Sequence, residues 1–136
     1  MNKHRDFLPI SRADMLQRGW YYYDFLVITG DAYVDHPSFG TAIISRVLEA
    51  EGYRVAILAQ PNWRELSSFT DMGRPRYGVF INGGNIDSMV AHYTVARNRR
   101  KTDAYSPGNR PGLRPDRAVT VYSRKCKALY PDVPVI

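Results

Sequence analysis

The densest group of reactive side chains in this 136-residue sequence lies in one stretch, Gly30-Asp-Ala-Tyr-Val-Asp-His-Pro-Ser-Phe-Gly40. It supplies two carboxylates (Asp31, Asp35), a phenol (Tyr33), an imidazole (His36) and a hydroxyl (Ser38). A carboxylate next to an imidazole can hold it ready for proton transfer, although neighbouring side chains often point apart. Ser38 can cap a following helix, whose free amides would then accept an anion. The same groups equally suit a hydrogen-bonded crossover loop, and residue types alone leave the two roles evenly matched.

A second stretch, Asn82-Gly-Gly-Asn-Ile-Asp-Ser88, contributes Gly83, Gly84, Asn85, Asp87 and Ser88. Paired glycines allow positive φ or a close backbone approach to a ligand. Asp87 and Ser88 could touch that ligand or cap the next helix. Gln60 closes another apolar segment, and Asp103 and Tyr105 stand in a long loop able to reach over it. His92 sits within a helical pattern and reads as structural. His4 belongs to the charged opening of residues 1–6.

The balance of 19 basic and 13 acidic residues gives +6. Residues 96–136 hold ten of the basic residues and three of the acidic ones. Arg97, Arg99, Arg100 and Lys101 form one cluster, and Arg110, Arg114 and Arg117 follow among prolines and glycines. Arg97, Arg100, Arg114 and Arg117 are candidate anion contacts. Such a cluster can be a nucleic-acid footprint. A solvated helix end, or contact with another domain, is the better expectation, since cations there also offset the helix dipole.

Several chemistries lack their residues. A single cysteine, Cys126, can form no internal disulfide, and an iron–sulfur cluster typically takes three or four thiolates. No His or Cys pair has zinc spacing. Neither G-x-G-x-x-G nor G-x-x-x-x-G-K-[ST] occurs, and Ser38 has no G-x-S-x-G context. No apolar run approaches the roughly 20 residues of a membrane span, and no signal core follows the N-terminus. A cytoplasmic protein with no membrane contact is expected.

These loops need elements to hold them. Ser11 and Asp14 open a short helix in capping-box fashion, and Gly19 stops it. Residues 25–28, 54–59 and 77–81 are apolar runs of the kind buried on both faces of a parallel sheet. Helical spacing marks residues 38–51, with Gly52 as the stop, and more weakly 63–72. Another helix from about 86 is expected to run into the basic cluster, and a last one covers about 116–129. Residues 102–117 form a long basic loop. Residues 133–136 look like the start of a fourth strand. Alternating strands and helices imply right-handed crossovers and a small, mainly parallel sheet. The candidate residues then gather at the carboxyl ends of the strands, where such sheets bind ligands.

Several segments also resemble a known family. They are Phe7-Leu-Pro-Ile-Ser11, Val27-Ile-Thr-Gly-Asp-Ala-Tyr-Val-Asp-His-Pro-Ser-Phe-Gly40, Ala59-Gln-Pro-Asn-Trp63, Gly84-Asn-Ile-Asp-Ser-Met89, Asp103-Ala-Tyr-Ser-Pro107, Arg114-Pro-Asp-Arg117 and Tyr130-Pro-Asp-Val-Pro-Val-Ile136. In this order, over nearly the whole chain, they resemble the N-terminal region of the YgiQ-type radical-SAM iron–sulfur proteins. Asn62 stands where that family often has Asp, and family members tend to have more residues before Phe7.

The resemblance implies an α/β, Rossmann-like three-layer sandwich similar to cobalamin-binding domains, cut short at its C-terminal strand. It implies one N-terminal domain over residues 1–136, with an arm and short helix in 1–22. A downstream barrel would be its partner in cis. That barrel's C-x-x-x-C-x-x-C would hold a four-iron–four-sulfur cluster that cleaves S-adenosylmethionine. No residue of that motif is present, so no catalytic residue, metal ligand or cofactor is expected in this chain itself. Cobalamin binding reads D-x-H-x-x-G, but Asp35 directly precedes His36 and Gly40 follows four residues later. Two alternatives are a free-standing module for a nucleotide or cobalamin-like ligand, and a nucleic-acid binder using residues 97–117.

Overall fold

A computed structural model describes residues 7–136; residues 1–6, with His4 and the start of the expected arm, lie outside the described residues. Three five-residue strands form a parallel sheet in the order β2-β1-β3. They are β1 (Phe25–Thr29), β2 (Val55–Ala59) and β3 (Gly78–Asn82). Phe25 pairs with Val55 on one side and Gly78 on the other, and Thr29 pairs with Ala59 and Asn82. The small parallel sheet and the alternation of strand and helix agree with the expected Rossmann-like α/β class. The fourth strand is reduced to residues 134–136. Val135 bridges to Val79, and three backbone hydrogen bonds of 2.8–2.9 Å tie this segment to the outer side of β3.

Alternation along the strands divides the core. Leu26, Ile28, Ala56 and Val79 face one side, with Phe69, Tyr122, Cys126 and Val133 packed over them. Burying each large apolar side chain there contributes about 1.5–3 kcal/mol. Phe69 comes from α3 (Ser67–Thr70), and Tyr122 and Cys126 from α5 (Ala118–Leu129). Val27, Val55 and Ile57 face the other side, beneath Leu8 and Leu48 of α2 (Gly40–Ala50).

Helix α1 (Arg12–Gln17) begins as its sequence suggests. Ser11 Oγ accepts from Asp14 N at 3.2 Å, while the Asp14 carboxylate accepts from Ile10 N rather than Ser11 N. Gly19 follows at φ +72°, the left-handed turn that ends many helices.

Three expected helices are shorter than their patterns. The 63–72 pattern yields only the single turn of α3. The 38–51 pattern starts at Gly40. Its N-cap is Phe39, which makes no side-chain cap bond, and the Ser38 amide donates to His36 Nδ1 at 3.1 Å. Ser38 therefore does not cap α2. Helix α4 (Ser88–His92) stops before the basic cluster instead of running into it. Tyr93 pairs with Arg99 in a small antiparallel turn, with Arg97 at φ +63°. Arg100 Nε donates to the carbonyls of Val90 and Tyr93, which the helix end leaves without partners. No helix among the described residues is long and apolar enough to cross a membrane.

Candidate functional site

The order β2-β1-β3 makes the chain reverse its progression at β1, so the ligand crevice of such a sheet lies between the carboxyl ends of β1 and β3. Gly30 and Asp31 leave β1 there, and Gly83, Gly84 and Asn85 leave β3. The two loops close on each other. Gly30 N donates to Asn82 O at 3.2 Å, and Asn85 N donates to Asp31 Oδ2 at 2.7 Å. A Cβ on Gly30 would overlap the Gly83 carbonyl, and one on Gly84 would overlap the Asp31 carboxylate. Gly84 serves close approach and Gly30 does so as well, though the group approached is the protein's own, while a Cβ on Gly83 would make only ordinary contact with Val119.

The loop of residues 102–117 completes the closure. Arg114 has no exposed side-chain surface and lies against two nearly buried carboxylates. Its Nε donates to Asp103 Oδ2 at 2.8 Å and its Nη2 to Asp103 Oδ1 at 3.1 Å, a bidentate pair. Nη2 also lies 2.8 Å from Asp31 Oδ1, while Nη1 donates to the Gly83 carbonyl at 3.2 Å. The contact with Asp31 Oδ1 is close but poorly aligned for a hydrogen bond. Burial raises the Asp31 carboxyl above its ordinary range, and the Asp103 charge adds to this. The Asn85 amide and Arg114 pull the other way without cancelling it.

Gln60, at φ +44°, is drawn into the same assembly. Its amide donates to Gly30 O at 3.0 Å and to Ser106 Oγ at 2.6 Å, and Ser106 in turn donates to Asp103 Oδ2. Ala32 N donates to Tyr105 O, and the Tyr105 ring meets Phe39 edge-on. Asp31, Gln60, Gly83, Gly84, Asn85, Asp103, Tyr105 and Arg114 thus converge. Arg114, read from sequence as an anion contact, instead lies buried between two carboxylates. The remaining cleft, lined by Tyr33, Phe39, Thr41 and Asn82 among others, holds about 120 Å³. Small-molecule sites usually hold about 300–1,000 Å³.

Other candidates lie apart. Asp35 pairs with Arg46 on α2, and His36 and Ser38 are exposed on the loop before it. Asp87 caps α4 through Met89 N at 2.8 Å, while Ser88 Oγ accepts from Ala118 N and so holds the start of α5. Arg97, Arg100 and Arg117 are exposed. Buried His92 meets Asp116 through Nδ1, and Tyr93 donates to the same carboxylate at 2.8 Å. Burial would raise the Asp116 carboxyl, but the bonds from His92 and Tyr93 outweigh it and hold the group low.

Sequence reasoning missed Ser106 and Asp116. The Asp103-x-x-Ser106 spacing carried a signal for the first. Asp103 Oδ1 accepts from Tyr105 N at 3.0 Å, the local side-chain turn that aspartate favours.

The residue pattern of a radical-SAM N-terminal region extends beyond these loops. The radical SAM N-terminal family matches residues 7–136, which is nearly the whole chain. The chain belongs to this family. A UPF0313 protein of Clostridium botulinum (strain Loch Maree / Type A3) is 58% identical over 131 residues, covering 96% of this chain and 20% of that protein. A UPF0313 protein of Clostridium perfringens (strain SM101 / Type A) is 55% identical over 130 residues, with the same coverage. The chain therefore spans about a fifth of the length of these curated relatives. No solved structure matches it.

The cofactors suggested by family and fold can be tested against these residues. The one thiol, Cys126, is fully buried on α5, and burial pushes it up to about 11. It does not fit a cluster ligand, which must be an accessible thiolate. Cobalamin does not fit the switch point either, because the cleft left there holds only about 120 Å³, far less than a cofactor of that size needs.

Proposed function

We propose that residues 1–136 form one N-terminal accessory domain of a longer, cytoplasmic radical-SAM enzyme, with a downstream barrel as partner in cis. The observation that carries this reading is the family match over residues 7–136 in a chain only a fifth as long as its relatives. In the longer protein, a four-iron–four-sulfur cluster held downstream would supply an electron that cleaves S-adenosylmethionine to methionine and a 5′-deoxyadenosyl radical.

This chain's part is to present a shaped surface. The Arg114–Asp31–Asp103 network locks the loops after β1 and β3 to the 102–117 loop. The exposed Asn85, bonded to Asp31, then stands in a fixed position toward the barrel. A free-standing nucleotide module is disfavoured by the filled crevice.

The test compares the longer polypeptide with the 136-residue chain, both reconstituted anaerobically with iron and sulfide and given S-adenosylmethionine and dithionite. The longer protein should form 5′-deoxyadenosine, and the short chain should form none. Product from the short chain, or none from the reconstituted longer protein, overturns the reading.

A further inference from the structure

Helix α2 carries a second apolar face that the domain leaves uncovered. Helices on a sheet normally bury large apolar residues and expose polar ones. Here the fully buried positions are small, Ala42 and Ser45, exposed by 3% and 0%, and Leu48 is the one large apolar residue packed on the sheet side. The bulky residues point outward, with Ile43, Ile44 and Val47 exposed by 48%, 45% and 57%. Ala50 extends the stripe, and exposed Val34 lies on the preceding loop. Residues 43, 47 and 50 share one helical face. Ile43, Val47 and Ala50, with Pro37 from the loop before α2, line a cleft of about 490 Å³.

The charges beside the stripe already have partners. Arg46 Nε donates to Asp35 Oδ1 at 3.1 Å, and Arg46 Nη1 donates to Glu49 Oε2 at 2.7 Å. Arg18 reaches Glu49 from α1 at 3.6 Å. An apolar centre with a self-neutralised polar rim is the make-up of a lasting interface rather than a charged, transient one.

We propose that the outer side of α2 is the seat of the polypeptide that follows residue 136 in the longer protein. This rests on the accessory-domain reading. Two observations choose that occupant. The relatives carry about four-fifths of their length outside the matched region, so the larger part of the polypeptide remains to be placed. Residues 134–136 also run parallel to β3, toward the carboxyl ends of the strands. The first turn of α2, with Ile43, begins at that same end of the sheet.

Hydroxyl-radical footprinting read by mass spectrometry tests this, with the exposed Val95 as comparison. Oxidation of Ile43, Ile44 and Val47 should fall several-fold in the longer polypeptide relative to the 136-residue chain. Equal oxidation overturns the proposal. Protection that grows with the concentration of the short chain also overturns it, by making a second copy the occupant. Val47→Asp is a second readout. It should lower the melting temperature of the longer protein and leave that of the short chain unchanged, and an equal effect on both counts against the proposal. Cleavage of S-adenosylmethionine is scored separately. Protection without cleavage would sink the enzyme reading alone, and cleavage without protection would sink the docking surface alone.

Discussion

Arg114 reaches Asp31 at 2.8 Å across the carboxyl ends of the sheet, joining the loop after β1 to a segment that enters just before α5. The guanidinium is fully buried and also carries Asp103, so one positive charge serves two carboxylates. Removing one member of a buried ion group leaves the rest uncompensated, at a cost of about 3–5 kcal/mol. Arg114→Leu should therefore destabilise the chain by about that much in urea unfolding. Arg114→Lys should recover only part of it, because an ammonium cannot make the bidentate pair with Asp103. A loss below about 1 kcal/mol for Arg114→Leu would mean that the carboxylates are protonated or hydrated instead.

Gly84 has two reasons to be glycine. Its φ is +102°, and an added Cβ would overlap the Asp31 carboxylate. Gly84→Ala should cost about 2–4 kcal/mol by combining backbone strain with overpacking. Gly112 has φ +81° and open space around it, so Gly112→Ala should cost only the strain. Equal losses at the two sites would remove the argument for loop closure through Asp31.

The strands were legible because each is an uninterrupted apolar run, and the stops at Gly19 and Gly52 follow from their positive φ. The convergence at the strand ends was legible in outline, since the fold class itself sends the segments after β1, β2 and β3 to one place. The pairing inside it was not. Arg114 in a loop of prolines and glycines looks like a solvent-facing cation, and only the tertiary approach of Asp31 and Asp103 buries it. The early end of α4 was hidden for a similar reason. The Tyr93–Arg99 bridge turns at Val95 and Ala96, with no glycine or proline to announce it. The apolar residues of α2 fall on both its covered and its exposed faces, so the pattern gave the helix but not which side was covered.

Cys126 should be chemically silent in the native state. It is fully buried, and its thiol is held up at about 11 by that burial. At neutral pH the reactive thiolate is therefore scarce as well as inaccessible. A disulfide reagent should modify it at the rate of global unfolding, and quickly in strong denaturant. Fast stoichiometric labelling of the native chain would contradict this packing of α5 on the sheet.

The Asp31 carboxyl gives stability a pH dependence of definite sign. Burial raises its pKa above the ordinary 3.8. Over the interval between 3.8 and the raised value, the folded state keeps a proton that the unfolded chain has released. Stability then falls as pH rises through that interval, the opposite of an aspartate whose charge is well paired in the fold. Asn at this position has no proton to lose and can still accept from the Asn85 amide. The stability of Asp31→Asn relative to the parent should therefore improve as pH rises through the interval and level off above it. Urea titrations of both proteins at successive pH values from about 3.5 to 7 would measure this difference. A difference that moves the opposite way would show that Arg114 and the Asn85 amide outweigh burial, and that the carboxylate is the form the fold selects.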